Sequence, residues 1–335
     1  EQPIPTPESL TFHIWTAYSP FTTWGRIVLD FYKAKGDISK LKTFTNTTLG
    51  ETWEEDQGEK VEWETLWGRR EVYPQVPHAG LVLMGSIDTQ DDRYEGRVWA
   101  YGAGEESWLV DRWILNGDPA SEELLRKVGL RLHELYTRAD GTQMKVERWA
   151  WDSGGHYTDE VYAQSRKHGV QWVIPVKGAN VYGKPIANFP RTRTKGSRVY
   201  LTEVGTDNAK ELIYNRLKLQ PQPGMSVPGC IHLPANNEIC DEDELKQLTA
   251  ETKRLKIERG ARVYRWDAGG RRNEALDCCV YALAALRISQ QRFGLDLDLL
   301  AAAIAVTATQ PESKPDAPKP AASGWLQIDP GSSWI

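Results

Sequence analysis

Four carboxylates, in three separate parts of the sequence, are of the residue types that bind divalent metal ions. Asp88 and Asp152 each follow a short apolar run. Glu274 and Asp277 stand three residues apart, which places both on one face of a helix. Hard divalent cations prefer several carboxylate oxygens at one point, and two such ions about 3.5–4 Å apart activate water and stabilise the leaving oxygen of a phosphodiester. The sequence therefore predicts metal-dependent phosphodiester hydrolysis at these residues.

Each of these acids also has a structural interpretation. Asp152 precedes a Ser-Gly-Gly sequence and could form an Asx turn, while Glu274 could stabilise the positive end of a helix dipole. Arg271 and Arg272 are alternative cationic partners for the two helix acids. Asp91 is a candidate additional ligand, although a solvated turn is the simpler interpretation. The metal hypothesis depends on acidic residues at three places in the sequence, Asp88, Asp152 and the pair Glu274/Asp277, and not on any single residue.

Strands and helices alternate along residues 80–290, and these elements would position the acids. Apolar or alternating runs predict strands at Leu81–Ile87, Arg97–Tyr101, Ser107–Trp113, Val146–Ala150, Val170–Val176 and Val263–Trp266. Helical spacing predicts helices at Glu122–Arg138, Glu160–His168, Thr206–Arg216, Asp241–Lys256 and Asn273–Ile288. Between them, Gly183–Gly205 is expected to be a loop and hairpin. The alternation indicates an α/β core with a mixed sheet, and open α/β sheets collect their ligands at strand ends.

Two flanking regions differ in composition from this central unit. Residues 1–79 combine an amphipathic run, Trp24–Lys35, with the acidic stretch Glu51–Glu64. We interpret them as the remnant of a preceding domain plus a linker. Residues 291–335 contain the apolar segment Leu299–Val306, a linker rich in Pro, Ser and Lys, and a short aromatic end. We expect this tail to be partly disordered.

The bulk composition limits the classes of function. A chain of 335 residues with a formal net charge of −5 is not coated in positive charge, so binding to nucleic acid must depend on local basic patches. The four cysteines and six histidines lack the spacing of a structural zinc site. The sequence has no apolar stretch of the roughly 18 residues that a membrane span needs and no pattern of a secretion signal. We therefore expect a cytoplasmic protein.

One concentrated group of cations suits contacts with nucleic acid. Its six members lie close together in the sequence, the last four at a predicted hairpin tip: Lys177, Lys184, Arg191, Arg193, Lys195 and Arg198. A projecting basic loop suits sequence-independent contacts with DNA phosphates, although a solvated hairpin without a partner is an equal alternative. The G-x-x-x-x-G-K-[ST] loop of ATP sites does not occur in the sequence.

Several of these motifs, in the same order, closely resemble the large terminase subunit of lambda-type tailed bacteriophages. The matching segments are Ser86–Glu95, Trp151–Gly155, Pro175–Gly178, Tyr182–Pro185, Leu201–Lys210 and Arg272–Asp277. Ordered motifs across roughly two hundred residues, more than a typical domain's length, are more specific than any single motif. The aromatic segment Phe12–Trp53 also resembles the part of that protein just after its ATPase core.

The resemblance implies a ribonuclease-H-like fold, a mixed sheet flanked by helices, with an N-terminal arm and a flexible C-terminal tail. It implies an endonuclease domain that cuts concatemeric double-stranded viral DNA in the host cytoplasm, using two divalent metal ions, Mg²⁺ or Mn²⁺. The family's catalytic acids correspond to Asp88, Asp152 and the Asn273–Asp277 motif, and either Glu274 or Asp277 could be the direct ligand. The family's ATPase motor and the segment that binds the small terminase subunit would lie outside this chain. The tail would dock on the portal of the procapsid.

Two other functions are compatible with these residues. One is a resolvase-like nuclease, which would prefer branched or end-processed DNA. The other is a docking module for the portal or a terminase subunit, with little cleavage activity of its own, which Leu299–Val306 and the aromatic end would favour. A metal-dependent plasmid-nicking assay separates the nuclease functions from docking.

Overall fold

A mixed β-sheet with helices on both faces forms the main body of the chain. The computed structural model describes residues 12–35, 38–51, 61–179, 183–258 and 261–309. Within these residues the strands of the large sheet are β1 (Val82–Thr89), β2 (Arg93–Tyr101), β3 (Ser107–Asn116), β4 (Leu135–Thr137), β5 (Gln143–Asp152), β6 (Val173–Gly178), β7 (Ala187–Asn188), β8 (Thr202–Val204) and β9 (Ile231–His232). A separate pair of strands is β10 (Thr252–Glu258) and β11 (Ala261–Asp267). The helices are α1 (Trp24–Ala34), α2 (Ile38–Phe44), α3 (Trp63–Gly68), α4 (Glu122–Leu132), α5 (Thr158–His168), α6 (Thr206–Leu217), α7 (Glu242–Leu248), α8 (Glu274–Phe293) and α9 (Leu297–Thr309).

The order and direction of the strands define the fold. Neighbouring strands follow the order β7-β8-β6-β5-β1-β2-β3-β9, and β4 pairs with the first part of β5. Strands β1, β2 and β3 are antiparallel neighbours, whereas β1, β5 and β6 run parallel. Three antiparallel strands continued by the parallel strands β5, β6 and β8, with helices on both faces, form the ribonuclease-H-like mixed sheet that the resemblance implied. The predicted fold class is confirmed.

Successive residues of the central strands point to opposite faces of the sheet, and different helices cover each face. Met84 on β1 and Ala150 on β5 belong to the core that includes α6 and α8. Leu83 and Trp149, one residue away on each strand, belong to the core that includes α4 and α5. Because both faces are covered, burial along β1 is continuous from Leu83 to Asp88. The strand is therefore a run of apolar and small residues instead of an alternation.

Gly85 allows β1 to approach the large side chain of Trp149 on β5. A β-carbon at position 85 would lie 2.2 Å from the Trp149 ring, so any larger residue would displace a close-packed side chain. Trp149 is fully buried, and its indole N–H donates to the Leu132 carbonyl at the end of α4 (3.2 Å). This contact therefore packs β1 closely against β5, the two strands that carry Asp88 and Asp152.

The helix predicted at Glu122–Arg138 is too long. Helix α4 ends at Leu132, and the residues that follow form β4, which pairs antiparallel with β5. Tyr136 of β4 is fully buried, and its hydroxyl donates to Asp111 Oδ2 (3.0 Å). Gly141 between the two strands has a φ of +86°, which favours glycine. An Asp-Gly pair between two strand-forming segments, here Asp140-Gly141, is typical of a β-hairpin. The chain forms this hairpin although the spacing of its apolar residues also fits a helix.

The helix predicted at Asp241–Lys256 is wrong in its second half. Helix α7 ends at Leu248, and from Thr252 the chain forms β10, which pairs with β11 in an unbroken antiparallel register. The sequence of residues 252–267 largely alternates charged and apolar residues on either side of a glycine. Alternation with a central glycine is typical of a hairpin, and this signal was missed.

The other predicted elements of the central unit are present with shifted ends, and the flanking regions are described in part. Helix α1 occupies the amphipathic run Trp24–Lys35, and α9 includes Leu299–Val306. Helix α3 packs into the main core through the fully buried Leu66. Most of Glu51–Glu64, and the linker and aromatic end of the tail, lie outside the described residues. Of the described helices, none has the length and apolar character needed to cross a membrane.

Candidate active site

Asp88 and Asp152 lie side by side at one end of the large sheet. Their strands, β1 and β5, are parallel neighbours, and the register pairs Ile87 with Trp151. Each aspartate is therefore the next residue on its strand, on the same face, with the two backbones about 4.8 Å apart. Asp88 is only 5% exposed. The apolar runs bury the strands and so bring the two carboxylates to the same edge.

Helix α8 brings a third carboxylate, Asp277, to this edge. The helix is buried along most of its length because apolar residues occupy most of its positions, and it packs on β1, β2 and β5. Tyr281, one turn after Asp277, donates its hydroxyl to Asp152 Oδ1 (3.2 Å). The charge of Asp277 raises the pKa of both Asp88 and Asp152. The three aspartates therefore form one acidic cluster.

Burial and the charges of neighbouring carboxylates raise the pKa values of the three aspartates in this acidic cluster. Burial, and then the charges of Asp152 and Asp277, raise the pKa of Asp88 to about 8. Burial raises the pKa of Asp152 to about 6, with a smaller contribution from Asp277, although hydrogen bonds to the ionised carboxylate oppose the shift. Burial also raises the pKa of Asp277, although Lys210 beside it favours the charged form. Buried like charges of this kind are stabilised by a bound cation.

The carboxylate oxygens of the acidic cluster fit a hard divalent cation, although each aspartate accepts a hydrogen bond from a protein side chain. In the part of the chain that the structure describes, no group of three or more His, Cys, Asp and Glu side chains is arranged to hold a metal ion as it stands. Gln90 Nε2 donates to Asp88 Oδ2 (2.5 Å). Asn273 Nδ2 and Lys210 Nζ hold the two oxygens of Asp277 at 3.0 and 3.1 Å. Because carboxylate oxygens are the ligands that Mg²⁺ and Mn²⁺ prefer, the cluster suits such ions once these hydrogen bonds are exchanged.

Glu274 is held in a different set of contacts from Asp277. Its Oε1 accepts from Arg93 Nη2 (2.8 Å), and Arg272 Nε lies 3.3 Å from its Oε2. Both arginines also bind Glu95 on β2, each at 2.7 Å. Arg272 is therefore a cationic partner of Glu274, as the sequence suggested. Of the two helix acids, Asp277 is the one whose charge raises the pKa of Asp88.

A buried ion network continues from these arginines into the interior. Arg97 of β2 is fully buried between Glu95 Oε2 (2.9 Å) and Glu244 Oε2 of α7 (2.7 Å). Arg112 Nε of β3 lies 3.2 Å from the same Glu244 oxygen. Buried ions keep their charge only when partners of this kind surround them. The network therefore fixes α7 and the first turn of α8 against the antiparallel strands.

Asp91 lies on the exposed turn between β1 and β2. Its side chain is 82% exposed, and its Oδ1 lies 3.1 Å from His156 Nδ1. The Tyr157 hydroxyl donates to the Asp91 carbonyl (3.3 Å). These contacts join the turn after β1 to the turn after β5. A role for Asp91 as an additional ligand stays a prediction.

The side chains that hold the acidic cluster in place were missed by the sequence reasoning. Tyr281 is four residues after Asp277, a spacing that puts both on one helix face. Gln90 is two residues after Asp88, so both point to one side of an extended chain. These two could have been found from local spacing. Lys210 stands on α6, and no local pattern connects it with the acids.

The predicted DNA-binding cations lie on the β6–β8 side of the acidic cluster. Lys177 is exposed and directly follows the residue of β6 that pairs with Asp152. Lys184 forms an ion pair with Glu203. In the basic loop, residues 190–198, all four cations are exposed. The geometry therefore places Lys177 at the same end of the sheet as the acidic cluster, with its side chain on the opposite face from Asp152, and leaves four of the six cations on a projecting loop.

The sequence matches the family described as terminase large subunit gpA, endonuclease domain, over residues 9–297. It is 53% identical over 302 residues to the terminase large subunit of Escherichia phage lambda, which covers 90% of this chain and 47% of the relative. It is 49% identical over 313 residues to the terminase large subunit of Enterobacteria phage P21, which covers 93% of this chain and 49% of that relative. The chain thus spans about half the length of the curated relatives that it matches.

Among solved structures, the chain is similar to the nuclease domain of the g2p large terminase of bacteriophage SPP1 with bound Mn. The two superpose with a TM-score of 0.34 at 10% sequence identity, over 65% of this chain and 96% of the other.

Proposed function

The chain belongs to the family of the terminase large subunit gpA endonuclease domain, and we propose that it hydrolyses double-stranded viral DNA with two divalent metal ions, Mg²⁺ or Mn²⁺. Its substrate would be the concatemeric DNA that is cut during genome packaging in the host cytoplasm. In the whole protein, the small terminase subunit and the portal of the procapsid would be its partners. The domain division into residues 1–79, 80–290 and 291–335 is part of the same proposal.

The acidic cluster carries this proposal. Asp88, Asp152 and Asp277 lie together, and burial raises the pKa of each, with a further rise from the charges of neighbouring carboxylates. Carboxylates that disfavour their own ionisation in this way mark a functional site. We assign these three as the metal ligands. Glu274, which is already paired with two arginines, would instead hold the first turn of α8 in place.

Each ligand has a protein donor that orients it. Gln90 holds Asp88, Tyr281 holds Asp152, and Asn273 with Lys210 holds Asp277. Hydrogen-bonded partners behind metal ligands set their direction and their basicity. When bound, the ions would activate a water molecule and stabilise the leaving oxygen. The chain's own contribution is a rigid, mostly buried frame for that chemistry.

Contacts with DNA would come from the exposed cations beside the cluster. Lys177 lies at the same end of the sheet as Asp152, one residue past its partner on β6, and Lys184, Arg191, Arg193, Lys195 and Arg198 extend the basic surface. Lysine and arginine on an exposed loop bind phosphates without reading sequence. Cleavage by this chain alone would therefore show little sequence preference.

The experiment that tests the nuclease is a plasmid-nicking assay with Mg²⁺ or Mn²⁺. Asp88→Asn should abolish nicking because it removes a charged ligand without changing the volume of the side chain. Glu147→Gln is the matched control, because Glu147 is an exposed acid of the same strand pair, near the middle of β5. Equal nicking by wild type and Asp88→Asn would refute the site assignment. Preference for branched DNA in the same assay would favour a resolvase-like nuclease.

A docking module is the second candidate function. The observation that favours it is exposed apolar surface outside the sheet body: Leu299 is 69% exposed on α9, and Phe21 is 96% exposed before α1. Exposed apolar residues of this kind are typical of protein–protein contacts when they form a patch. A wild-type chain that folds but does not nick DNA with either metal would support docking over catalysis.

A further inference from the structure

Two histidines outside the acidic cluster face each other at the ends of two helices. His133 caps the C-terminus of α4, and His168 is the last residue of α5. His133 Nε2 lies 3.3 Å from His168 Nδ1. Helix α5 begins after the turn that follows Asp152 and is 11 residues long, so it carries His168 about 16 Å away from that turn. The histidine pair is therefore separate from the proposed site of cleavage.

The distance between the two nitrogens suits a shared metal ion better than a hydrogen bond. An N–H donor ordinarily lies about 2.7–3.2 Å from its acceptor, so 3.3 Å is long for a bond between the two rings. Zn²⁺ binds histidine nitrogen at about 2.0–2.1 Å in a tetrahedral arrangement, which puts two such nitrogens about 3.3–3.4 Å apart. The rings therefore have the spacing of two ligands of one ion, and a small rotation is enough to direct both lone pairs at it.

The polar groups of the His168 ring are incompletely satisfied. Its second nitrogen, Nε2, is buried and has no hydrogen-bond partner among the described residues, and its first has only the long contact with His133. Buried polar groups normally have partners. Burial lowers the pKa of His168, and the charges of His133 and Lys167 lower it further. The ring is therefore neutral at pH 7, which is the form that binds metal.

The surroundings favour a cation and hold the rings in place. Each ring stands at the C-terminal end of a helix, where the helix dipole favours positive charge. The Trp172 ring packs on the His133 ring, with centroids 4.8 Å apart, and its indole N–H donates to the Val146 carbonyl (2.9 Å). Groups that are already oriented lose little freedom when they bind. Because His133 is also exposed, an ion and its water ligands can reach the pair from solvent.

We propose that His133 and His168 together bind a divalent transition metal ion such as Zn²⁺, with water completing its coordination. The site differs from the acidic cluster in its chemistry, because imidazole suits Zn²⁺, Ni²⁺ and Cu²⁺ whereas carboxylates suit Mg²⁺ and Mn²⁺. With two protein ligands the ion is exchangeable, unlike structural zinc with its four. The bound ion links the ends of α4 and α5, which cover the same face of the sheet. The inference is independent of the proposed nuclease function.

The test is a calorimetric titration of Zn²⁺ into the metal-free chain, in the wild type and in Asp277→Asn, which weakens metal binding at the acidic cluster. His133→Asn should lower the number of bound Zn²⁺ ions by one in both backgrounds. His133 is exposed, so the substitution should leave the fold intact. His13→Asn, which removes an exposed histidine elsewhere in the chain, is the matched control and should bind as many Zn²⁺ ions as its parent.

His168→Asn should cause the same loss as His133→Asn, because one ring alone cannot chelate the ion. An unchanged number of bound Zn²⁺ ions in His133→Asn, or an equal loss in His13→Asn, would overturn the inference. If His168→Asn does not fold, nuclear magnetic resonance of the wild type with ¹⁵N-labelled histidine decides. Zn²⁺ should then shift the ring nitrogens of His133 and His168 together, and a shift confined to the other four histidines would refute the site.

Discussion

Lys210 Nζ lies 3.1 Å from Asp277 Oδ1 and 2.6 Å from Glu251 Oε1, with its side chain almost fully buried. One cation thus compensates two carboxylates on two different elements, the start of β10 and the first turns of α8. The same lysine joins the hairpin base to the acidic cluster.

Lys210→Met should destabilise the protein by about 3–5 kcal/mol, because it leaves two buried carboxylates without their cation. Mn²⁺ should recover part of this loss by neutralising Asp277. Urea unfolding with and without the metal measures both effects. Lys246→Met, which breaks an exposed pair with Glu242, is the control and should change stability much less. A Lys210→Met protein as stable as wild type would contradict the buried ion pair.

The raised pKa of Asp88 predicts how stability depends on pH without metal. The carboxyl has a pKa of about 8 in the folded protein against an ordinary value of 3.8, so the folded state holds a proton that the unfolded chain releases. This contribution to stability is present at low pH and is lost as the pH rises from about 4 to about 8. The pKa of Asp152, about 6, acts in the same direction.

Accordingly, the melting temperature of the metal-free protein should fall between about pH 5 and about pH 8, and Asp88→Asn should remove much of this slope. Calorimetry in EDTA at a series of pH values tests this. The exposed-acid variant Glu147→Gln should keep the wild-type slope. A slope in Asp88→Asn equal to that of wild type would show that Asp88 is not the titrating group.

Metal-induced stabilisation should distinguish Asp277 from Glu274. Ligand binding to the native state raises stability by about 2.7 kcal/mol at one hundred times the dissociation constant. Asp277→Asn should abolish the rise in melting temperature that millimolar Mn²⁺ causes in wild type. Glu274→Gln should lower the melting temperature, because it leaves Arg93 and Arg272 without one of their acids, yet keep the metal-induced rise. The reverse pattern would make Glu274 the direct ligand.

The basic loop should contribute to DNA affinity without affecting the metal site. Replacing Arg191, Arg193, Lys195 and Arg198 with Ser should reduce the salt slope of duplex binding by roughly 3 to 4, since each phosphate contact contributes about 0.9. The rise in melting temperature with Mn²⁺ should stay the same. If DNA affinity is unchanged, Lys177 and Lys184 become the next candidates on that side of the cluster.

The sequence predicts the parts of the site that local patterns determine. The apolar runs before Asp88 and Asp152 predict two buried strands, and both strands are present. The three-residue spacing of Glu274 and Asp277 predicts a shared helix face but cannot tell which acid meets the strands. That choice depends on Arg93 and Arg272, which reach Glu274 from β2 and from the residues before α8.

The parts that were missed depend on contacts distant in the sequence or on competing local signals. Lys210 lies 67 positions before Asp277, and only the packing of α6 against α8 brings them together. The first part of β10 falls within the segment predicted as the helix Asp241–Lys256, whereas Val263–Trp266 of β11 is predicted as a strand. In these residues, the alternation that is typical of a strand overlaps with the spacing that is typical of a helix. The strand that pairs with β10 comes later in the sequence.

The parallel register of β1 and β5 determines the spacing of the two strands that carry Asp88 and Asp152. Asp88 and Asp152 are neighbours in a backbone ladder, so the hydrogen bonds of the peptide groups, and not a loop, set the gap between their strands. A ladder of this kind spaces its strands by about 4.8 Å whatever the side chains around it. The basic loop and the hairpin β10–β11 can therefore change in length and charge while the spacing of the two strands that carry Asp88 and Asp152 stays constant.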